Sequence, residues 1–159
     1  MGNELGHFRE WDEKTQLDWN LLEYPKHDSF FHFFRKLSEF YHNMPELYAT
    51  DFDNRSFKWL EVNAPKECVY AFIREFNNHS GIVTVLNLSD KNHKNFRIGC
   101  ENSLTLTQII NTDNYKWGGN TPDSDGTEIH TENIPHKDNS YSFNIDIPAF
   151  SGILFKAEF

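Results

Sequence analysis

Residues 141–147 read Tyr141-Ser142-Phe143-Asn144-Ile145-Asp146-Ile147. Successive side chains of a strand point to opposite faces, so this alternation predicts Tyr141, Phe143, Ile145 and Ile147 against a core and Ser142, Asn144 and Asp146 toward water. Working outward, the same period of two recurs in short runs. Strands are predicted at 57–62, 68–76, 82–89, 94–98, 104–111, 127–130, 141–147 and 152–157. The run 82–88 is apolar on both faces, as a central strand is. Asn77-Asn78-His79-Ser80-Gly81 reads as a turn between two strands. Residues 112–126, rich in Asn, Asp, Gly and Pro, form the longest predicted loop, with Gly118-Gly119 as its flexible point. Short strands at this spacing predict a mainly β fold, an antiparallel β-sandwich with a Greek-key connection.

Ahead of the strands the period is 3.6. Phe30, Phe33, Phe34, Leu37, Phe40, Tyr41 and Met44 recur at helical spacing, and Phe31 widens the stripe. A helix is predicted over 28–44, with Asp28 or Ser29 as N-cap and Pro45 as its stop. So broad an aromatic face must be covered. The sandwich can cover part of it, and a further sheet in a longer chain would cover the rest. Residues 1–27 show no sustained period, and Asp12-Glu13-Lys14 reads as a solvated turn.

With 159 residues the chain holds one ordinary domain and a small appendage. A complete (β/α)₈ barrel, at about 250 residues, does not fit. Aromatics make up 16% of the chain, which favours a packed β-rich core or stacking surfaces over disorder. The net charge is −9 with no cluster of Lys or Arg, which argues against nucleic-acid and anionic-membrane partners. No apolar run reaches the roughly 18 residues of a membrane-spanning helix. Cys68 and Cys100 are two and distant, as expected of free thiols in a reducing cytoplasm.

The reactive side chains form no recognisable catalytic pattern. No nucleophile elbow and no phosphate-binding glycine loop is present. His27 and His32, and His130 and His136, miss the i, i+4 spacing of a helical zinc site, so no metal or cofactor is expected. Asp113, Asp123 and Asp125 share a turn-rich loop that could hold calcium, but without EF-hand spacing. Glu4, Glu10, Asp12 and Asp18 lie in one loop region, and retaining glycosyl transfer uses two carboxylates about 5 Å apart. Nothing in the sequence brings two of them together. Beside them stand Trp11 and Trp19, residues that polysaccharide-handling loops favour but that are also commonly buried.

Met1-Gly-Asn-Glu-Leu-Gly-His-Phe-Arg-Glu-Trp11 followed by Leu17-Asp-Trp-Asn-Leu-Leu22 resembles the segment after the last catalytic motif of 1,4-α-glucan (glycogen) branching enzymes, a branch of the α-amylase superfamily. The similarity continues through the helix, through Phe57-Lys-Trp59, Arg97-Ile-Gly99, Ile110-Asn-Thr-Asp113 and Tyr115-Lys-Trp-Gly-Gly119, to Tyr141-Ser-Phe143. This resemblance implies two parts. Residues 1–45 would be the end of a catalytic barrel: Met1–Glu4 its last strand end, then a loop and the last helix. Residues 46–159 would be the C-terminal β-sandwich. It implies an α-glucan substrate and transfer of a cut chain to a 6-hydroxyl, with the catalytic carboxylates upstream of Met1 and none in these residues. Glu4, Trp11, Asp18 and Trp19 would rim the cleft, and Trp59 and Trp117 would be stacking platforms. The alternatives are a stand-alone carbohydrate-binding sandwich, which has no use for the helix, and the C-terminal region of another superfamily hydrolase.

Overall fold

The computed structural model describes residues 2–10, 12–77 and 79–159, so Trp11, one of the candidate residues, lies outside it. Among the described residues eight strands form: β1 Phe57–Glu61, β2 Val69–Phe76, β3 Ser80–Asn87, β4 His93–Cys100, β5 Thr105–Asn111, β6 Glu128–His130, β7 Tyr141–Ile147 and β8 Ser151–Glu158. Six of them pair in the order β1-β2-β3-β8-β5-β6, and β4 pairs with β7 in a second sheet. Every named pairing is antiparallel. The chain crosses from one sheet to the other between β3 and β4 and returns before β5. It crosses again between β6 and β7, and β8 then inserts between β3 and β5. This interleaving makes a sandwich.

The core lies between the sheets. Val69, Ala71 and Ile73 of β2, Val83 and Val85 of β3, and Ile153, Phe155 and Ala157 of β8 face Ile98, Cys100, Phe143, Ile145 and Ile147. Each large side chain removed from water in this way contributes roughly 1.5–3 kcal/mol. β3 is central, as its two apolar faces predict, with Ile82 and Val83 both fully buried.

Three expectations about the strands need correcting. Ser142 is fully buried instead of facing water, because residues 132–134 lie over β7 there. Its hydroxyl donates to the Ile134 carbonyl at 2.7 Å and accepts from Arg97 at 2.6 Å. Ser80 and Gly81 belong to β3, not to the turn before it, and a Cβ on Gly81 would come within 2.7 Å of the Arg74 carbonyl oxygen. Cys68 precedes its strand, at φ 53. Asn3–Leu5 form a 3₁₀ turn between left-handed Gly2 and Gly6.

Helix α1 spans Pro25–Asn43. It starts a turn earlier than predicted, because Pro25 takes the first helical position, where its missing N–H costs nothing. Ser29 is therefore inside the helix and no cap, and its hydroxyl bonds back to the Pro25 carbonyl at 2.9 Å. The helix lies on the side of the six-stranded sheet away from the core. There Leu37, Phe40, Tyr41 and Leu47 share a cleft with Leu154, whose neighbours Ile153 and Phe155 point inward. No residue of α1 is fully buried, and Phe30, Phe34 and Tyr41 stay exposed. No helix among the described residues is long and apolar enough to cross a membrane.

Candidate functional site

The predicted site residues fall in three places. The first is the N-terminal loop. Arg9 holds Asp18 through two parallel hydrogen bonds of 2.9 and 2.7 Å, a bidentate pair that closes the 9–18 loop. Trp19 follows it and is about half exposed. Glu4, in the 3₁₀ turn, lines a different, open cleft of about 640 Å³ together with Phe31, Phe34, Arg35, Glu39 and His42. Asp18 instead borders His7, Glu10 and Asp12. Glu4 and Asp18 therefore do not face each other as an acid and nucleophile would. His27 ties the turn to α1, with Nδ1 2.8 Å from the Leu5 carbonyl oxygen and its ring edge-on to Phe8.

The second place is the outer face of β1 and β2. Trp59 stands opposite Phe72 in register, and Phe57 stands opposite Arg74. The three rings make a wedge. Phe57 and Trp59 meet at 5.2 Å and 90°, Trp59 and Phe72 at 5.8 Å and 83°, and Phe57 and Phe72 at 5.2 Å. Trp59 is 52% exposed, so it is not a core residue. Arg74 pairs with Asp51 at the edge of this wedge, and its Nε is enclosed without an acceptor. The arrangement offers an aromatic platform with a guanidinium beside it, parts suited to the face and hydroxyls of a sugar. The sequence reading picked out Trp59 alone. Phe72 was readable too, because Tyr70, Phe72 and Arg74 alternate with the core residues Val69, Ala71 and Ile73.

The third place is the loop 112–126, which contains a 3₁₀ turn at Tyr115–Trp117. Trp117 is half-buried, edge-on to Phe33 of α1 at 5.6 Å, with its indole N–H enclosed and unpartnered. It fastens the helix to the sandwich. The loop is held by Asn114, 1% exposed, which donates to Asp123 at 3.0 Å and accepts from the Lys116 backbone at 3.0 Å. Gly119 is a packing point where a flexible one was expected: a Cβ there would sit 2.1 Å from the Asp113 carbonyl oxygen. The three acids proposed for calcium are already engaged. Lys116 reaches both Asp123 and Asp125, and Asp113 accepts from Asn120. The Asp125 backbone N–H, with Lys116 next, holds the Asp123 carboxyl below its usual range. Burial opposes the charge on Lys116, but bonds to Asp125 and Asp123 raise its affinity for the proton overall. Among the described residues no group of His, Cys, Asp and Glu is arranged to hold a metal.

Comparison with known proteins fits this architecture. The 1,4-alpha-glucan branching enzyme GlgB of Oceanobacillus iheyensis is 30% identical over 99% of this chain and 25% of its own length. Proteins of the same name from Synechocystis sp. and Aquifex aeolicus are 31% and 32% identical, over 98% and 99% of this chain and 20% and 25% of their own. The chain thus spans a quarter or less of these relatives. Residues 59–158 match the family described as the alpha amylase C-terminal all-beta domain. That match begins at Trp59 on the aromatic platform and takes in all of β2 to β8, and by it the chain belongs to the alpha amylase C-terminal all-beta domain family.

Proposed function

We propose that this chain is the C-terminal portion of a 1,4-α-glucan branching enzyme, an enzyme that cuts an α-1,4-linked chain and rejoins it through an α-1,6 bond. The observation that carries this reading is the extent of the likeness. Branching enzymes align over 98–99% of the chain, through the helix as well as the sandwich. A free-standing sugar-binding sandwich would not need α1. In this reading residues 1–45 end the catalytic barrel, and a barrel sheet covers Phe30, Phe34 and Tyr41. Residues 46–159 form the C-terminal sandwich. The acids that break the glycosidic bond lie upstream, and the chain alone is inactive. The separation of Glu4 and Asp18, which line different clefts, supports this, since retaining transfer needs two facing carboxylates.

Glucan contacts are assigned to Glu4, Trp11, Asp18 and Trp19 of the N-terminal segment, to Trp59 as a stacking platform, and to the free side of Trp117. Several weak contacts along one polymer add through multivalency. Two unpaired cysteines fit a cytoplasmic enzyme. The test is an amylose assay that reads α-1,6 linkages after debranching. The chain alone should yield none, and the chain joined to its upstream barrel should yield branches. Branching by the chain alone would refute the reading. New reducing ends without branches from the joined protein would assign it to a hydrolase instead.

A further inference from the structure

A cleft of about 310 Å³ opens where the β3–β4 turn, the β7–β8 turn and the 113–121 segment meet, lined by Asn92, His93, Asp113, Asn120, Thr121 and Pro148 among others. Its polar groups are held rigidly but are not used up. Asn92 accepts the Ala149 backbone N–H through Oδ1 at 2.8 Å, which fixes its amide and leaves the Nδ2 hydrogens for another partner. Asp113 gives Oδ1 to the backbone and side-chain amides of Asn120, at 3.1 and 3.0 Å. No described residue donates to its Oδ2. Asn120, turned by that contact, offers its own Oδ1.

One fixed donor beside two fixed acceptors suits neighbouring hydroxyls, each of which both donates and accepts. Lys94, also on the wall, is bound to Asp146 at 2.8 Å, so no Lys or Arg among the described residues of the wall is left for an anionic ligand. A hard metal ion would need six or more oxygens, and a single carboxylate is available. The volume is at the small end of ligand pockets and suits about one sugar ring. Phe150 follows the lining residue Ala149 in the β7–β8 turn. It is 73% exposed and sits at φ 47, a left-handed conformation that a bulky side chain adopts only under strain. Strain of this kind gathers at ligand sites, and an exposed ring is a stacking face for a sugar.

We infer that this cleft binds one neutral hexopyranose unit at the end of an oligosaccharide. Asp113 and Asn120 accept its hydroxyls, Asn92 donates to it, and Phe150 flanks it. That the sugar belongs to an α-1,4-glucan rests on the function proposed above.

The test is a titration of the ¹⁵N-labelled 159-residue chain with maltotriose and, separately, cellotriose, read by amide chemical shifts. Maltotriose should move the amides of 92–93, 113–121 and 149–150. Asn92→Asp and Asp113→Asn keep the internal acceptors and reverse one external hydrogen bond each, and each should weaken binding about tenfold. Phe150→Gly should weaken binding without lowering the melting temperature, because glycine relieves the left-handed turn. A loss of fold cannot produce that combination. Unperturbed cleft amides with both sugars, or wild-type binding by all three variants, would overturn the inference. Shifts confined to Trp59 and Phe72 would overturn it and leave the glucan function standing. A cleft that answers cellotriose alone would keep the sugar site and sink the α-glucan reading.

Discussion

Trp59→Ala separates a glucan platform from a packing residue, because the two roles are read as separate losses on different instruments. About half of the indole is covered, by Phe57 and Phe72. Taking that as roughly 100 Å² of apolar surface, truncation costs about 2 kcal/mol of stability. For a chain of 159 residues that lowers the melting temperature by about 4–8 °C and leaves the protein folded. The exposed half is the part that can stack on a sugar ring. Losing it removes about 1 kcal/mol of binding, or about a fivefold fall in affinity. Retardation in gels cast with amylose measures the second quantity, and scanning fluorimetry the first. Trp59→Phe, which keeps a ring in the wedge, should be intermediate in both. Trp117→Ala should reverse the balance, with the larger stability loss and the smaller affinity loss, because its ring supports Phe33 of α1. If both Trp59 variants, fully folded, are retarded by amylose like the wild type, the platform argument fails.

Three other perturbations test the architecture. Gly119→Ala places a methyl against the Asp113 carbonyl, a backbone atom that cannot swing away, and should cost about 3 kcal/mol or more in urea unfolding. Lys137→Met strands Glu61, whose side chain is 2% exposed, and should cost about 3 kcal/mol, whereas adding Glu61→Gln should recover most of the loss in a double-mutant cycle. Burial pushes the Cys100 thiol up to about 11 from 9.0, so the unfolded chain loses that proton first as pH rises. Stability from this residue is therefore complete below pH 9 and lost between pH 9 and 11. Cys100→Ala should flatten the fall in melting temperature over that window, and the native thiol should resist aromatic disulfide reagents at neutral pH.

All eight strands were legible because alternation is a local signal, and each strand keeps one face on the sandwich core. What was illegible depends on partners distant in sequence. Ser142 reads as a solvent-facing serine until residues 132–134 cross over it. Gly118-Gly119 reads as slack until Asp113 is seen to fill the space beside Gly119. The N-terminal boundary of α1 was missed for a local reason: Asp28 and Ser29 are good capping residues, but Pro25 had already set the helical φ one turn before. The positions of Glu4 and Asp18 could not be read at all, since Arg9 decides where Asp18 points, and that pairing spans a loop without periodicity.

The two exposed apolar surfaces differ in a way that bears on their use. On the platform, Trp59 meets Phe57 and Phe72 nearly at right angles and all three rings stand 5.2–5.8 Å apart on adjacent, hydrogen-bonded strands, so their geometry is set before any ligand arrives and little ordering entropy remains to oppose binding. The α1 stripe is broader, and Phe30, Phe33 and Phe34 are only tilted against one another at 6.3–6.4 Å, with Arg35 and Glu39 beside them. A loosely arranged aromatic stripe is a poor template for a rigid sugar but packs well against another protein layer, which can interdigitate with it. Because the sandwich core draws nothing from α1, the helix is free to serve that second layer. The strands can then hold the platform in place whether or not the helix is covered.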